Sequence, residues 1–333
     1  MWLFTFATLL PAALLICASV TGGWLVLAAV LAITVFTWSL DKLTPTAPNP
    51  DAEFPTGDGL SVTLGLLHLP MLALAVWAIG GVSGLGLWER LGLLIGYGLF
   101  FGQIGHPNAH ELIHRPGRWL RRLGKLVYSS LLIGHHVSAH PLVHHIHVGT
   151  DRDPSSAPRG QSVWYFAPHW WRGAFREGLI AENKRRKGRR FWQHPYLHYS
   201  LIAALTLLST ALFGAGPAFA LITVCCYAQL QMILSDYVQH YGLRRAIREN
   251  GKPEPVGPQH SWNTPHRYSS AMMLNAPRHS DHHLNPTRPY PGLRLEAAMP
   301  RLPYALPTMA VVALWPALWR RIMHPRLDAL TPQ

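Results

Sequence analysis

Charge is scarce in this sequence, and so is cysteine. Asp, Glu, Lys and Arg make up 14% of the 333 residues, against roughly 25% in soluble globular domains. That excludes an ordinary water-soluble fold along the whole chain. The three cysteines, Cys17, Cys225 and Cys226, all lie in apolar stretches, and no Cys-x-x-Cys pair occurs. A disulfide framework, a zinc ribbon and a cysteine-held iron site are thereby excluded, and the thiols read as inert core residues. No flavin motif is present. The N-terminus lacks a basic leader and a small-residue cleavage site, so it reads as a first membrane helix rather than a removable signal.

Long apolar runs are what the chain does have. Spanning a bilayer takes about 20 mostly apolar helical residues, and six segments qualify: 2–20, 24–40, 60–80, 87–105, 199–214 and 216–236. Tight turns at Thr21-Gly22-Gly23, around Gly80-Gly81 and at Gly214-Ala215-Gly216 pair them into three hairpins. The expected fold is an all-α integral membrane protein, one domain over 1–333, with a helical cap built from 106–198 and 237–333. The apolar segment 305–322 is interrupted by Pro307 and Pro316; it reads as a helix under the bundle or at the interface rather than a seventh span.

The net charge is +13, and its distribution is uneven. Of 29 Lys and Arg, 15 fall in 106–198 and 12 in 237–326, with Lys42 in the first connector and Arg90 alone near the other side. An even number of spans puts both termini with these loops, and the positive-inside rule makes that side cytoplasmic. The run 184–190 (KRRKGRR) reads as a patch facing anionic lipid or an acidic partner. No nucleic-acid motif accompanies it, and nucleic acid is not an expected partner.

Histidine is the residue in excess, with 20 copies. They cluster after the cytoplasmic ends of spans 4 and 6: HELIH (His110, His114), HHVSAHPLVHHIH (His135, His136, His140, His144, His145, His147), DYVQHYG (His240) and RHSDHH (His279, His282, His283). Residues i and i+4 share a helix face, so His110/His114 and His140/His144 can each grip one metal ion. His279, His282 and His283 share a face if their stretch is helical. Adjacent histidines diverge by about 100°, so the doublets 144/145 and 282/283 suit two different ions. Nitrogen ligands in this number favour iron, copper or zinc over magnesium or calcium. The scattered histidines His68, His169, His194, His198, His260 and His324 read as packing or surface groups.

HELIH alone also fits a zinc metalloprotease, with Glu111 as general base, but such a site leaves most clustered histidines unexplained. A carboxylate-bridged di-iron bundle needs two Glu-x-x-His motifs, and only Glu111-x-x-His114 is present. Transport would favour ionisable groups inside the spans, where His68 is the main one in the first three.

Taken in order, HELIH, HPLVHH with DRDPSS, DYVQHYG, SWN (261–263) and RHSDHH resemble the membrane alkane monooxygenases, relatives of the fatty acid desaturases and xylene monooxygenases. NPTRPY (285–290) and 316–327 extend the likeness to the C-terminus; the first 80 residues match mainly in hydropathy. The resemblance implies nine histidines around two irons: His110, His114, His140, His144, His145, His240, His279, His282 and His283. His135, His136 and His147 have no ligand counterpart, although His136 lies four residues before His140. The chain departs from the family with Asp236 and Gln239 where Asn and Glu are usual, and with Ala276-Pro277 where Leu-Gln is usual.

By the same resemblance, a di-iron site takes two electrons and O2, inserts one oxygen into a C–H bond and releases the other as water. Terminal hydroxylation of an n-alkane to a 1-alkanol is the expected reaction. The alternatives are hydroxylation or desaturation of a xylene-type methyl group, a fatty acid or a carotenoid ring. The implied electron donor is a rubredoxin with its reductase, drawn to the cationic face. The substrate is expected to arrive from membrane lipid of a bacterial inner membrane, through spans bearing Trp24, Trp38 and Trp77, which serve equally well as interface anchors.

Overall fold

A backbone in lipid must bond its own N–H and C=O groups, and apolar runs therefore become helices. The computed structural model describes residues 1–330; among these the regular structure is helical, with two isolated bridges and no sheet. In chain order, α1 is Trp2–Thr21, α2 Trp24–Leu43 and α3 Asp58–Ile79. α4, Leu87–Phe100, passes through a π-turn at Phe101–Gly105 into α5, His106–His114. Then come α6 Arg118–Ser130, α7 Val163–Arg185, α8 Pro195–Ala211 and α9 Ala215–His240. The tail adds α10 His279–Leu284, α11 Leu306–Ala313 and α12 Pro316–Leu330.

Length and apolarity single out α1, α2, α3 and α9 as able to cross a membrane, four of the six expected spans. The other two are helical but marginal. α4 carries Glu89 and Arg90 in its first turn and bends into a polar extension, while α8 has only 17 residues. α9 runs past the expected 236 to His240, so its own end delivers a histidine to the cap.

α9 is the central post, with α3, α4, α8 and α11 packed along it. Close approach is made by missing side chains. A Cβ on Gly102 would stand 2.3 Å from Gln231 Cβ, and one on Gly216 would stand 2.3 Å from Gly80 O. Small residues at helix crossings are the usual device in lipid. Beside Gly102, Gln103 Nε2 donates to Gln231 Oε1 at 3.0 Å. At the end away from the cap, Glu89 accepts the Gly23 and Gly86 N–H groups at 2.6 and 2.7 Å, and Arg90 Nε donates to Ile79 O at 2.7 Å.

The end of α2 and the connector after it are tied to the cap. Asp41 accepts the N–H groups of Tyr268 and Ser269 at 2.9 and 3.0 Å. Buried Arg278 donates to Pro48 O and Leu293 O at 2.7 and 2.6 Å, which fixes the start of α10. The 305–322 segment breaks at Pro316 into α11 and α12, and at about 1.5 Å per residue neither spans a bilayer. Met309 and Ala313 of α11, with Trp319 and Met323 of α12, are buried. The thiols need a correction: only Cys225 is buried, whereas Cys17 and Cys226 are exposed on the helix surfaces. An apolar span has an outward face, so an apolar stretch does not by itself mean core. Trp24 and Trp38 also point outward, at 75% and 53% exposure.

Candidate metal centre

Four stretches of chain bring histidines to the same place, each by its own local geometry. On α5, His110 and His114 share a face one turn apart. The segment 136–147 is helical but changes pitch: 140–144 is a π-turn, in which His145 N–H bonds His140 O. A five-residue hydrogen-bond step faces His140 with His145. The i,i+4 pairing of His140 with His144 expected from spacing is therefore replaced by His140 with His145, and His144 turns the other way. On α10, His279 and His283 share a face while His282 points elsewhere. His240 closes α9.

The outcome is two groups whose nitrogens lie within 4.8 Å of one another: His110, His114, His140, His145 and His282 in one, and His144, His240, His279 and His283 in the other. These are the nine histidines singled out from the sequence. Each doublet, 144/145 and 282/283, contributes one ring to each group. Within the first, Nε2 of His140 lies 2.7 Å from that of His110 and 2.9 Å from that of His145, and His145 lies 3.1 Å from His282. Within the second, His279 lies 3.0 Å from His240 and 3.1 Å from His283.

These spacings suit a shared cation. Two nitrogens about 2.1 Å from one ion and at right angles stand about 3.0 Å apart. A neutral imidazole carries a single N–H, so an Nε2 facing two others is poorly served by hydrogen bonds. Nε2 of His114 and of His144 are buried with no hydrogen-bond partner among the described residues. Burial, then the neighbouring imidazoles, hold His110, His140, His145, His279, His282 and His283 well below the ordinary histidine range. Neutral rings are the form that binds metal. The donor set fits a metal cofactor.

His144 is the exception. Burial pulls it down, but the charge and hydrogen bond of Asp153 raise it. Asp153 Oδ2 lies 2.9 Å from His144 Nδ1 and accepts Ser156 Oγ at 2.6 Å. Burial pushes that carboxyl up, yet His144 and its hydrogen bonds bring it below the usual range. The carboxylate keeps the ring proton on Nδ1 and turns the bare Nε2 toward the second group, as partners of ligating histidines do. Sequence reasoning gave Asp153 no role; its signal was a carboxylate in DRDPSS just downstream of the histidine run. Asn263, from SWN, was missed likewise. Its Oδ1 accepts Ser280 N–H and its Nδ2 donates to Ser280 Oγ, at 2.9 and 2.8 Å, steadying α10.

Glu111 turns away from both groups. It pairs with Arg115 at 3.1 Å and accepts Tyr290 N–H at 3.1 Å; burial pushes its carboxyl up to about 7. A protease base would need to face the ion. His135 packs on Trp171 and Phe175, His136 stacks on Trp170, and neither joins a group. His147 is half-buried beside them in sequence and also stays out. Scattered His68 bonds Ser130 at 2.9 Å, and His324 stacks on Tyr241. Two of the unusual residues meet, since Gln239 Nε2 donates to Ala276 O at 3.0 Å, while Asp236 accepts Trp170 Nε1 at 2.7 Å.

An apolar cleft of about 480 Å³ opens between α2, α4, α9 and α11, with Ile33, Leu99, Leu230 and Val311 in its walls and Asp41, Gln103, Gln231 and Ser269 among its polar lining. One helical turn further, His106 and Ser235 line a small void with His110, His140 and His279.

The fatty acid desaturase family model matches residues 86–313. Alkane 1-monooxygenase 2 of Pseudomonas aeruginosa is 33% identical over 319 residues, covering 92% of this chain and 84% of that protein. Alkane 1-monooxygenase 1 of the same organism is 34% identical over 301 residues, covering 84% and 77%. The xylene/toluene monooxygenase hydroxylase component of Pseudomonas putida is 28% identical over 219 residues, covering 64% and 58%.

Proposed function

The chain belongs to the fatty acid desaturase family and, within it, to the alkane 1-monooxygenases, and from that premise we propose that it hydroxylates the terminal carbon of an n-alkane at a pair of irons. It is an oxidoreductase and a multi-pass membrane protein. The balance is RH, O2, two electrons and two protons to ROH and water; bound iron supplies the redox chemistry, which zinc lacks. The observation that carries this reading is the convergence of nine imidazoles into sets of five and four.

The residues have distinct tasks. His110, His114, His140, His145 and His282 would hold one ion, and His144, His240, His279 and His283 the other. Asp153 fixes the His144 tautomer. Asn263 and Arg278 keep α10 in register with the other ligand segments. The apolar cleft admits an alkane from lipid, and its shape, with few polar handles, selects the chain end. The whole chain acts as one membrane domain of six spans, α4 and α8 completing the bundle, with the cap and both termini on the cytoplasmic side of a bacterial inner membrane. Electrons come from a partner, for which a rubredoxin and its reductase fit the cationic cap.

Membranes carrying the protein, supplied with a rubredoxin, its reductase and NADH, should convert octane to 1-octanol only in the presence of O2. Metal analysis should find close to two irons per chain. One zinc per chain, or turnover indifferent to O2, would overturn the assignment.

A further inference from the structure

The reaction needs two electrons per turnover, and the sequence offers no cysteine cluster or flavin motif to supply them, so a partner must deliver them from outside. Pro154 stands in the wall of the cap between two spaces. This residue lines a small void that also touches His140, His144 and Asp153. It equally lines an outer groove of about 510 Å³ along α7. Gly173 lets the two segments close up, since a Cβ there would stand 2.6 Å from Pro154 Cβ. One proline thus separates the groove from the Asp153–His144 pair.

The groove has the chemistry of a docking surface. Tyr165, His169, Arg172 and Arg176 follow helical spacing along one face of α7, and Arg152 faces them from the loop; all five are exposed. Two acids are present. Asp151 is engaged by Arg244 at 3.3 Å, and Glu177 is half-buried. Cations therefore dominate, around Tyr165 and Pro168 as a flat contact. Another flank of α7 leans on α9, where Trp171 Nε1 donates to Gln229 Oε1 at 3.1 Å. The groove itself faces away from that contact. We propose that this groove seats a small acidic electron-carrier protein directly over Pro154, and that Arg152, Arg172 and Arg176 hold it; the inference rests on the hydroxylase reading.

The test uses the full chain in neutral-lipid nanodiscs and a purified acidic rubredoxin as probe. Reversing the groove with R152E, R172E and R176E together should raise the rubredoxin Kd about tenfold or more, and blunt its salt dependence. Reversing three cations of the exposed basic run, K184E, K187E and R189E, makes the same change in net charge and should raise it far less. An unchanged Kd in the groove variant, or an equal rise in both, would overturn the proposal. So would a groove variant that loses only binding to nanodiscs containing phosphatidylglycerol, which would make the groove a lipid headgroup site. Octane turnover, followed in parallel, judges the hydroxylase reading separately: a wild type that binds rubredoxin through the groove and oxidises no alkane would sink that reading and uphold the groove.

Discussion

Where α3 and the end of α4 meet α9, contact depends on what side chains leave out. Gly80 at the end of α3 admits Gly216, Gly102 in the π-turn after α4 admits Gln231, and a side-chain hydrogen bond joins Gln103 to Gln231. In the cap the opposite holds, since nine imidazoles, Asp153, Asn263, Arg278 and Asp281 are buried or largely so, and the last four are each held by directional hydrogen bonds. The membrane bundle is held by many small, interchangeable contacts, because lipid gives apolar surfaces no strong reason to associate. The cap is held by few, directional contacts whose loss leaves buried polar groups without partners, which is costly. Single changes should therefore be tolerated in the bundle and not in the cap.

The sharpest way to break that contrast is to remove one ligand from each group. His279→Ala and His282→Ala take one nitrogen from the four-membered and the five-membered set respectively. Each is expected to cut alkane turnover by at least about 100-fold. Iron analysis should show loss concentrated in one of the two ions. A variant with both full iron content and full rate would show that the two sets are not separate sites.

Asp153→Asn comes next. It keeps the size of the side chain but removes the charge that fixes the His144 proton. The ion held with His240, His279 and His283 should bind about 10–100-fold more weakly, as read by chelator competition. The ion held by the five-membered set should barely change. Equal loss of both would contradict the role of Asp153 as partner of His144 alone.

Much of this contrast was legible beforehand. Hydropathy located the apolar helices because backbone bonding in lipid leaves no alternative to helix, and four of the six expected spans recur as long apolar helices. The nine candidate ligands came from motif order, and their split by doublets followed from the angle between adjacent helical positions. What escaped was anything set by pitch or distance. The π-turn at His140–His144 moved His144 away from His140, and no spacing rule announces a π-turn. Asp153 and Asn263 act on residues brought near only by folding. Cys17 and Cys226 looked like core because composition cannot tell the inner face of a span from its outer one.

A smaller effect is expected within the bundle. Gly102→Leu would force its side chain against Gln231, and overpacking of this kind costs about 1–3 kcal/mol. The unfolding temperature in detergent should fall, while iron per folded chain and the spectrum of the bound metal stay as in the wild type. A change in metal content would mean that the bundle and the cap are less independent than their construction implies.

The smallest effect concerns the one polar bond at the α4–α9 crossing. Gln103→Leu or Gln231→Leu leaves the surviving amide facing an apolar neighbour, whereas the double variant replaces both partners and leaves no orphan. A double-mutant cycle on unfolding should therefore give a coupling of about 0.6 kcal/mol, the usual size for such bonds between membrane helices. The double variant should lie closer to the wild type than the two single losses added together. The pair also lines the apolar cleft, one turn before the void beside His110 and His279. If the bond closes that passage, the double variant should turn over longer alkanes faster relative to octane, with little change in stability. A coupling near zero and an unchanged chain-length profile would mean that the two amides neither hold the helices nor guard the way to the metals.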